Sequence, residues 1–389
     1  MTNNPIYFDN AATTPLCPGV LDAMLPYFNS NFGNPSGVCS FARTARKGID
    51  AARSQIAAAI NAQPNEITFT SSGTEANNWA IRGVFNKKAG HIITSVTEHH
   101  AVGHVCEVLE GVDVTYLPVD SEGFVSPEAL KAAIRPDTAL ISIMWANNEI
   151  GTIQPIAELA EIARERGILF HTDAVQVVGH IPVDMEKVPV DMLTMSAHKF
   201  GGPKGIGALY VRKGTKLGQL IYGGAQERNR RAGTENVAGI VGMGTAIELA
   251  VSEQEAEFTR ISALRDELIK QIEDNIPRAT LNGSRGEKRL PGNINFSFDF
   301  IEGESLLLLL DMNGFCASSG SACSSASLEP SHVIMALGVP YENAHGSIRF
   351  SLGRESKLSD INSLMEHLPK FIQRLRDMSP LDEKSEKAE

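Results

Sequence analysis

Lys199 stands between His198 and the run Phe-Gly-Gly-Pro, a few residues after the short apolar segment 190–194. A lysine amine among small residues at a sheet edge can condense with an aldehyde to form a Schiff base. A solvated surface lysine fits the same pattern, so neighbours must decide. Asp173 follows the apolar segment 168–172. It fits a turn, but a fixed carboxylate there would also keep a pyridine nitrogen protonated and make the ring an electron sink. Cys323 lies in the run Ala-Ser-Ser-Gly-Ser-Ala-Cys-Ser-Ser-Ala-Ser, 317–327. A structural cysteine sits among apolar neighbours. This one has none, and is expected on an exposed, mobile loop where a thiolate can act as nucleophile.

Other polar groups recur just past apolar segments. Ser-Ser-Gly-Thr-Glu, 71–75, follows 67–70 and opens a helix; free N–H groups there attract a phosphate, although an ordinary N-cap reads the same way. Thr-Glu-His-His, 97–100, follows 91–95, and the His99 ring could stack on a flat cofactor. His100 and His104, four apart on a helix, invite a metal, but no HExxH and no acidic ligand set accompany them. Asn147-Asn148-Glu149 follows 139–143, Gln176 comes soon after Asp173, and Ser196 precedes His198 and Lys199. Such repetition is what a site at the carboxyl edge of an α/β sheet requires. The glycine-rich stretch 201–207 precedes an apolar segment with no helix after it, so phosphate-loop and dinucleotide readings fail their context.

The elements that must position these residues follow from periodicity. Apolar runs at 67–70, 91–95, 112–117, 139–143, 168–172, 190–194 and 206–211 are mostly separated by helical stretches such as 76–86, 126–134 and 156–165. Ala45, Ile49, Ala52, Ile56 and Ala59 add a helical stripe. The alternation predicts an α/β domain with a mostly parallel, covered sheet. A helix over 237–275, free of proline until Pro277, leads into a smaller α+β domain. Strands are expected there at 293–298 and 347–352, with helices near 303–312, 327–337 and 356–377. The expected division is a large domain over 14–257, a small domain from 1–13 and 258–377, and a polar tail over 378–389.

The 389 residues carry a formal net charge of −11, which argues against general nucleic-acid binding and docking to anionic membranes. The N-terminus lacks a basic and apolar leader pattern, and the longest apolar run, 306–310, is too short to cross a bilayer. Five cysteines without a CxxC pair argue against a disulfide framework or structural zinc, and for a reducing, cytoplasmic setting.

Together the segments DNAATTP (9–15), SSGTEANN (71–78), TEHHAV (97–102), NNEIGTIQPI (147–156), HTDAVQ (171–176), SAHKFGGPKGIGALYVR (196–212), GGAQERNRRAGTEN (223–236), SSGSACSSASLEPSHV (318–333) and SIRFSLGR (347–354) resemble the NifS/IscS-type cysteine desulfurases of the first subgroup. These are fold-type I enzymes that use pyridoxal 5′-phosphate. The resemblance implies a homodimer whose catalytic residues are Lys199 (cofactor-linked), Cys323 (sulfur acceptor) and His99. It implies cofactor contacts from Gly73, Thr74, His99, Asn148, Asp173, Gln176, Ser196, His198 and Lys199, with Thr234 arriving from the partner subunit. Arg349, assisted by Asn148, would hold the substrate carboxylate. The expected reaction takes sulfur from L-cysteine, leaving L-alanine and a persulfide for an acceptor such as an iron–sulfur scaffold or a thiolation enzyme. No resident metal is implied; Cys323 could be a transient iron–sulfur ligand. Cys39 departs from the histidine of many relatives, Cys316 fits a packed residue better than a resolving thiol, and the acidic tail departs from the ending that housekeeping relatives present to a scaffold. Rival expectations are an aminotransferase, a selenocysteine lyase or a catalytically silent assembly subunit.

Overall fold

The structure is a computed structural model that describes residues 5–86, 89–319 and 329–379. Its twelve strands are β1 (Ile6–Tyr7), β2 (Ile67–Thr70), β3 (Gly90–Ser95), β4 (Val112–Leu117), β5 (Thr138–Ser142), β6 (Leu169–Asp173), β7 (Met192–Ser196), β8 (Gly207–Val211), β9 (Ala279–Leu281), β10 (Asn293–Phe298), β11 (Phe315–Cys316) and β12 (Ser347–Ser351). Seven of them form one sheet in the order β2-β8-β7-β6-β5-β3-β4. All neighbours run parallel except β8, which is antiparallel to β2 and β7. Strands β2, β7 and β8 are buried along their whole length, which is why they read as apolar runs rather than as alternations. At the edge, β4 is only partly covered.

Two cores result. The large one gathers Ile49, Ile56, Phe69, Ile141, Phe170, Leu193 and their neighbours beneath the sheet. The smaller one packs Phe8, Phe296, Phe298, Ile348 and Phe350 against Leu364 and Leu368. It is built on the antiparallel sheet β12-β10-β9, with β1 and β11 paired in parallel beside it. The 39-residue helix Val237–Asn275 serves both cores. Ala238, Ile240, Met243 and Ile247 enter the large one, and Ile261, Leu268 and Ile272 enter the small one.

The structure shifts some expected bounds. Strands β6 and β7 include Asp173 and Ser196 as last residues, because the register Asp173↔Thr194 and Ser196↔Gly207 pairs them with neighbouring backbone. The helix expected over 76–86 begins at Gly73, where the Ser72 hydroxyl accepts from Glu75 N at 3.1 Å. The helix expected over 327–337 is His332–Ala336: Ser331 caps it by accepting from Val333 N and Ile334 N, and Pro330 precedes the cap. Residues 327 and 328 lie outside the described residues.

Candidate active site

The turn 71–75 and the helix Gly73–Phe85 approach the carboxyl ends of β6 and β7. Gly73 makes this possible: a Cβ there would stand 2.8 Å from Val175 Cγ2 and 3.4 Å from Ser196 Cβ. The first-turn N–H groups of Gly73 and Thr74 have no acceptor within the helix, and the helix dipole favours an anion beside them. Glu75 braces the turn. Its Oε2 accepts from Ser71 N at 2.9 Å and Ser71 Oγ at 2.5 Å, and Arg231 reaches it through Nε and Nη2 at 2.8 and 3.1 Å. Burial pushes this carboxyl up, but the bonds from Arg231 and Ser71 outweigh it and hold the group below the usual range. His198, beside the buried Ser196, is pushed down to about 4 by burial and by Lys199 and Lys204, so it is neutral. Thr234 is exposed on the loop before the long helix.

Asp173 is buried and held at both oxygens. Asn77 Nδ2 donates to Oδ2 at 2.6 Å, and Val175 N donates to Oδ1 at 2.9 Å. His99 caps the helix His100–Glu107; its Nδ1 accepts from Ala101 N at 3.0 Å, which leaves the neutral ring's proton on Nε2. Burial lowers its basicity; the Asp173 carboxylate acts the other way, and the charge of Lys199 lowers it further. Glu98, behind it, is wholly buried. Burial raises its carboxyl to about 8, against donation from Met144 N, with Asp173 adding to the rise. The neighbouring histidines meet as tilted rings: His100 lies 4.6 Å from His104 and 5.0 Å from His332, ring centre to ring centre.

Lys199 follows β7 on a short turn, Ala197–Lys199. His180 Nε2 donates to its carbonyl at 2.9 Å, and burial keeps that imidazole neutral. The Lys199 amine donates to Ala11 O at 2.6 Å and Ala12 O at 2.8 Å. Gln176 Nε2 reaches the same Ala11 carbonyl at 3.0 Å. Residues 9–14 thus form a strap between the large sheet and the sheet β12-β10-β9. Thr14 N bonds His198 O at one end, and Asn10 Nδ2 bonds Ser351 O at the other. Arg349 on β12 is buried, with Nη1 on the Asn148 carbonyl at 3.0 Å and Nη2 on Asp9 Oδ1 at 2.7 Å.

Shared partners and mutual charge effects bring Gly73, His99, Asn148, Asp173, Gln176, Ser196, His198, Lys199 and Arg349 to one region between the carboxyl edge of the large sheet and β12. Cys323 lies outside the described residues. The chain on either side of it is anchored here. Ser318 pairs with Arg349 backbone to backbone, Ser331 Oγ donates to Glu149 at 2.6 Å, and His332 Nε2 donates to Glu98 O at 3.0 Å. Sequence reasoning missed Asn77, His180, Asp9 and the strap. A cavity of about 650 Å³ between the domains is lined by Tyr7, Cys17, Glu253, Phe258 and Arg354, and of the expected site residues only Lys199 borders it.

A sequence model described as aminotransferase class-V matches residues 6–364. A cysteine desulfurase IscS of Dictyoglomus turgidum is 58% identical over 380 residues, 96% of each chain. The chain belongs to the class-V aminotransferase family, in its cysteine desulfurase branch. Among solved structures of this family, a NifS-like protein superposes with a TM-score of 0.87 at 37% identity, covering 96% of this chain and 99% of its own. SspA in complex with cysteine superposes with a TM-score of 0.79 at 39% identity, covering 89% and 98%. The resemblance found in the sequence motifs is thereby confirmed, as is the fold-type I architecture.

Pyridoxal 5′-phosphate is the cofactor of this desulfurase branch, and the residues present fit it. The Gly73 cradle leaves space where a side chain would clash, beside N–H groups suited to a phosphate. Asp173 offers a carboxylate fixed by two donors for the ring nitrogen, and Lys199 offers a primary amine on the neighbouring strand end.

Proposed function

We propose that the chain is a cysteine desulfurase that moves the sulfur of L-cysteine onto Cys323 and releases L-alanine. The observation that carries this reading is the hydrogen-bonded strap 9–12 that joins the Lys199 amine to the buried guanidinium of Arg349, with the fixed carboxylate of Asp173 at the neighbouring strand end and Ser318 and Ser331, on either side of Cys323, bonded to Arg349 and Glu149. When bound, the cofactor supplies an aldehyde that links to the substrate amine and a ring that takes up electrons released at the α-carbon. Gly73, Thr74, Ser196 and His198 hold its phosphate, and Thr234 reaches the phosphate of the partner subunit. Asp173 holds the ring-nitrogen proton, His99 stacks on the ring, and Gln176 and Asn148 border its hydroxyl side. Arg349 takes the substrate carboxylate as a fork. Lys199 Nζ moves the α-proton, with the Nε2 proton of His99 available beside it. The Cys323 thiolate then attacks the substrate sulfur. The carbon–sulfur bond breaks, the carbon side is protonated to L-alanine, and Cys323 keeps the sulfur as a persulfide.

A homodimer belongs to this reading. Its support is the exposed Thr234 together with apolar side chains left uncovered: Phe28 at 64%, Phe32 at 65% and Val38 at 91% exposure. The persulfide would pass to an acceptor protein such as an iron–sulfur scaffold or a thiolation enzyme. A cytoplasmic setting accords with the free thiols of Cys17, Cys39, Cys106 and Cys316, and no helix among the described residues is long and apolar enough to cross a membrane.

The test compares wild type with Cys323→Ser in L-cysteine plus a thiol reductant. Equal alanine and sulfide from wild type, lost on substitution, is the expected result. Sustained alanine from the substituted protein would remove Cys323 from the chemistry and favour selenocysteine-lyase-type elimination.

A further inference from the structure

Asp9 has no part in the chemistry above, yet it is the only carboxylate whose bond to Arg349 is seen among the described residues. The contact is single, from Nη2 to Oδ1 at 2.7 Å, and Nη1 goes to the Asn148 carbonyl at 3.0 Å. The Nε–H has no partner among the described residues, although Arg349 is only 3% exposed. A buried guanidinium donor without an acceptor is costly unless an acceptor arrives. The main chain of Arg349 is fixed by other means, through Asn295 on β10 and through Ser318. What Asp9 settles is therefore the side chain.

We propose that Asp9 is a positioning residue for substrate recognition: it holds Arg349 by one bond and neutralises it, keeping the Nε donor unpaired for the substrate carboxylate. A competitor for the site would take the fork through two oxygens, as carboxylates facing arginine commonly do. Asp9 uses one. The remaining geometry ties this to catalysis. Asp9 O accepts from Ala12 N at 3.0 Å, and Ala11 O and Ala12 O accept from the Lys199 amine. Ala11 N donates to Ser351 Oγ at 2.9 Å, two residues from Arg349 on the same strand. The strap thus joins the group that holds the substrate carboxylate to the group that moves its α-proton.

The inference rests on reading Arg349 as the carboxylate clamp, so the experiment separates the two. The holoenzyme and its Asp9→Asn, Asp9→Ala and Arg349→Gln variants are titrated with L-alanine and with ethylamine, which lacks the carboxylate. Binding is read from the cofactor absorbance. Asp9→Asn keeps the shape and an acceptor oxygen, so it guards against a failure of Asp9→Ala to fold. Expected is a loss of L-alanine affinity of about ten- to a hundredfold in Asp9→Ala, the size of a charged hydrogen bond, with a smaller loss in Asp9→Asn and unchanged ethylamine binding. Tighter L-alanine binding by either Asp9 variant would make Asp9 a competitor and overturn the proposal. So would equal losses for both ligands, which would mean general disruption of the strap. If Arg349→Gln alone weakens L-alanine, the clamp stands and Asp9 is dismissed. If Arg349→Gln leaves L-alanine binding intact, the clamp itself falls, and Asp9 with it.

Discussion

Asn77 donates its side-chain amide to Asp173 Oδ2 at 2.6 Å from one turn inside the helix that begins at Gly73. The same helix that would receive the cofactor's phosphate therefore also steadies the carboxylate meant for its ring nitrogen. Asn77→Ala leaves Asp173 with Val175 N as its remaining bond and should weaken cofactor binding about tenfold, the effect of one hydrogen bond to a charged group. Asn77→Asp should weaken it more, by setting a second carboxylate against the first. Cofactor retained after dialysis, read by absorbance, checks both.

His99 combines a flat ring with a proton held at Nε2. His99→Phe keeps the ring and removes the proton. Cofactor content should stay near wild type while kcat for alanine formation falls by roughly 10²–10⁴, the range of a general acid–base group. A cofactor loss that matches the kcat loss would show that the imidazole serves to hold the cofactor rather than to move a proton.

Glu98 gives stability a slope on the alkaline side. Its carboxyl is raised from 4.5 to about 8, chiefly by burial, so the folded chain keeps a proton that the unfolded chain has shed. The raised group's contribution is whole below pH 4.5 and is lost progressively as pH rises to about 8, at about 1.4 kcal/mol per pH unit for one proton. In Glu98→Gln this part of the slope should vanish, while donation from Met144 N to the side-chain oxygen can persist. Urea unfolding of wild type and variant across that window measures the difference. Parallel curves would show that Glu98 is ionised in the folded protein.

Arg53 and Glu227 form a buried, two-pronged pair at 2.8 and 2.6 Å, and Glu227 Oε2 also accepts from Phe69 N at 3.0 Å. The pair clamps a loop whose residues Glu227, Arg228 and Asn229 all have positive φ, at 48°, 57° and 61°. Such backbone persists only where surrounding bonds enforce it. Glu227→Ala should cost about 3–5 kcal/mol by stranding the arginine charge, and Arg53→Met with Glu227→Ala should cost less than that single change. A double-mutant cycle in urea gives the coupling. Because Thr234 lies on the same loop, the single variant should also lose cofactor at lower denaturant than it loses helix.

The sheet was legible because its central strands are buried on both faces and appear as apolar runs. The long helix was legible to its last residue because nothing in 237–275 breaks it and Pro277 stands just beyond. Strand ends were less so. Asp173 and Ser196 are poor strand formers, and only pairing with Thr194 and Gly207 keeps them in the ladder. The strap was invisible because Asn10 and Ala11 have no periodicity and find Ser351 more than three hundred positions away. Asn77 read as one more polar residue of an amphipathic helix; its partner is set by how that helix crosses β6, which no local pattern encodes.

The helix Val237–Asn275 has a further consequence. Its residues 248–260 mix polar side chains with Leu249, Ala250, Val251, Ala256 and Phe258, and none of them is buried. Yet they join two cores on a single axis. Inserting or deleting one residue there would turn one core against the other by about 100° and slide it about 1.5 Å along the axis. That stretch is looser in what it spells than in how many letters it uses, so length variants among relatives should fall in the loops around it.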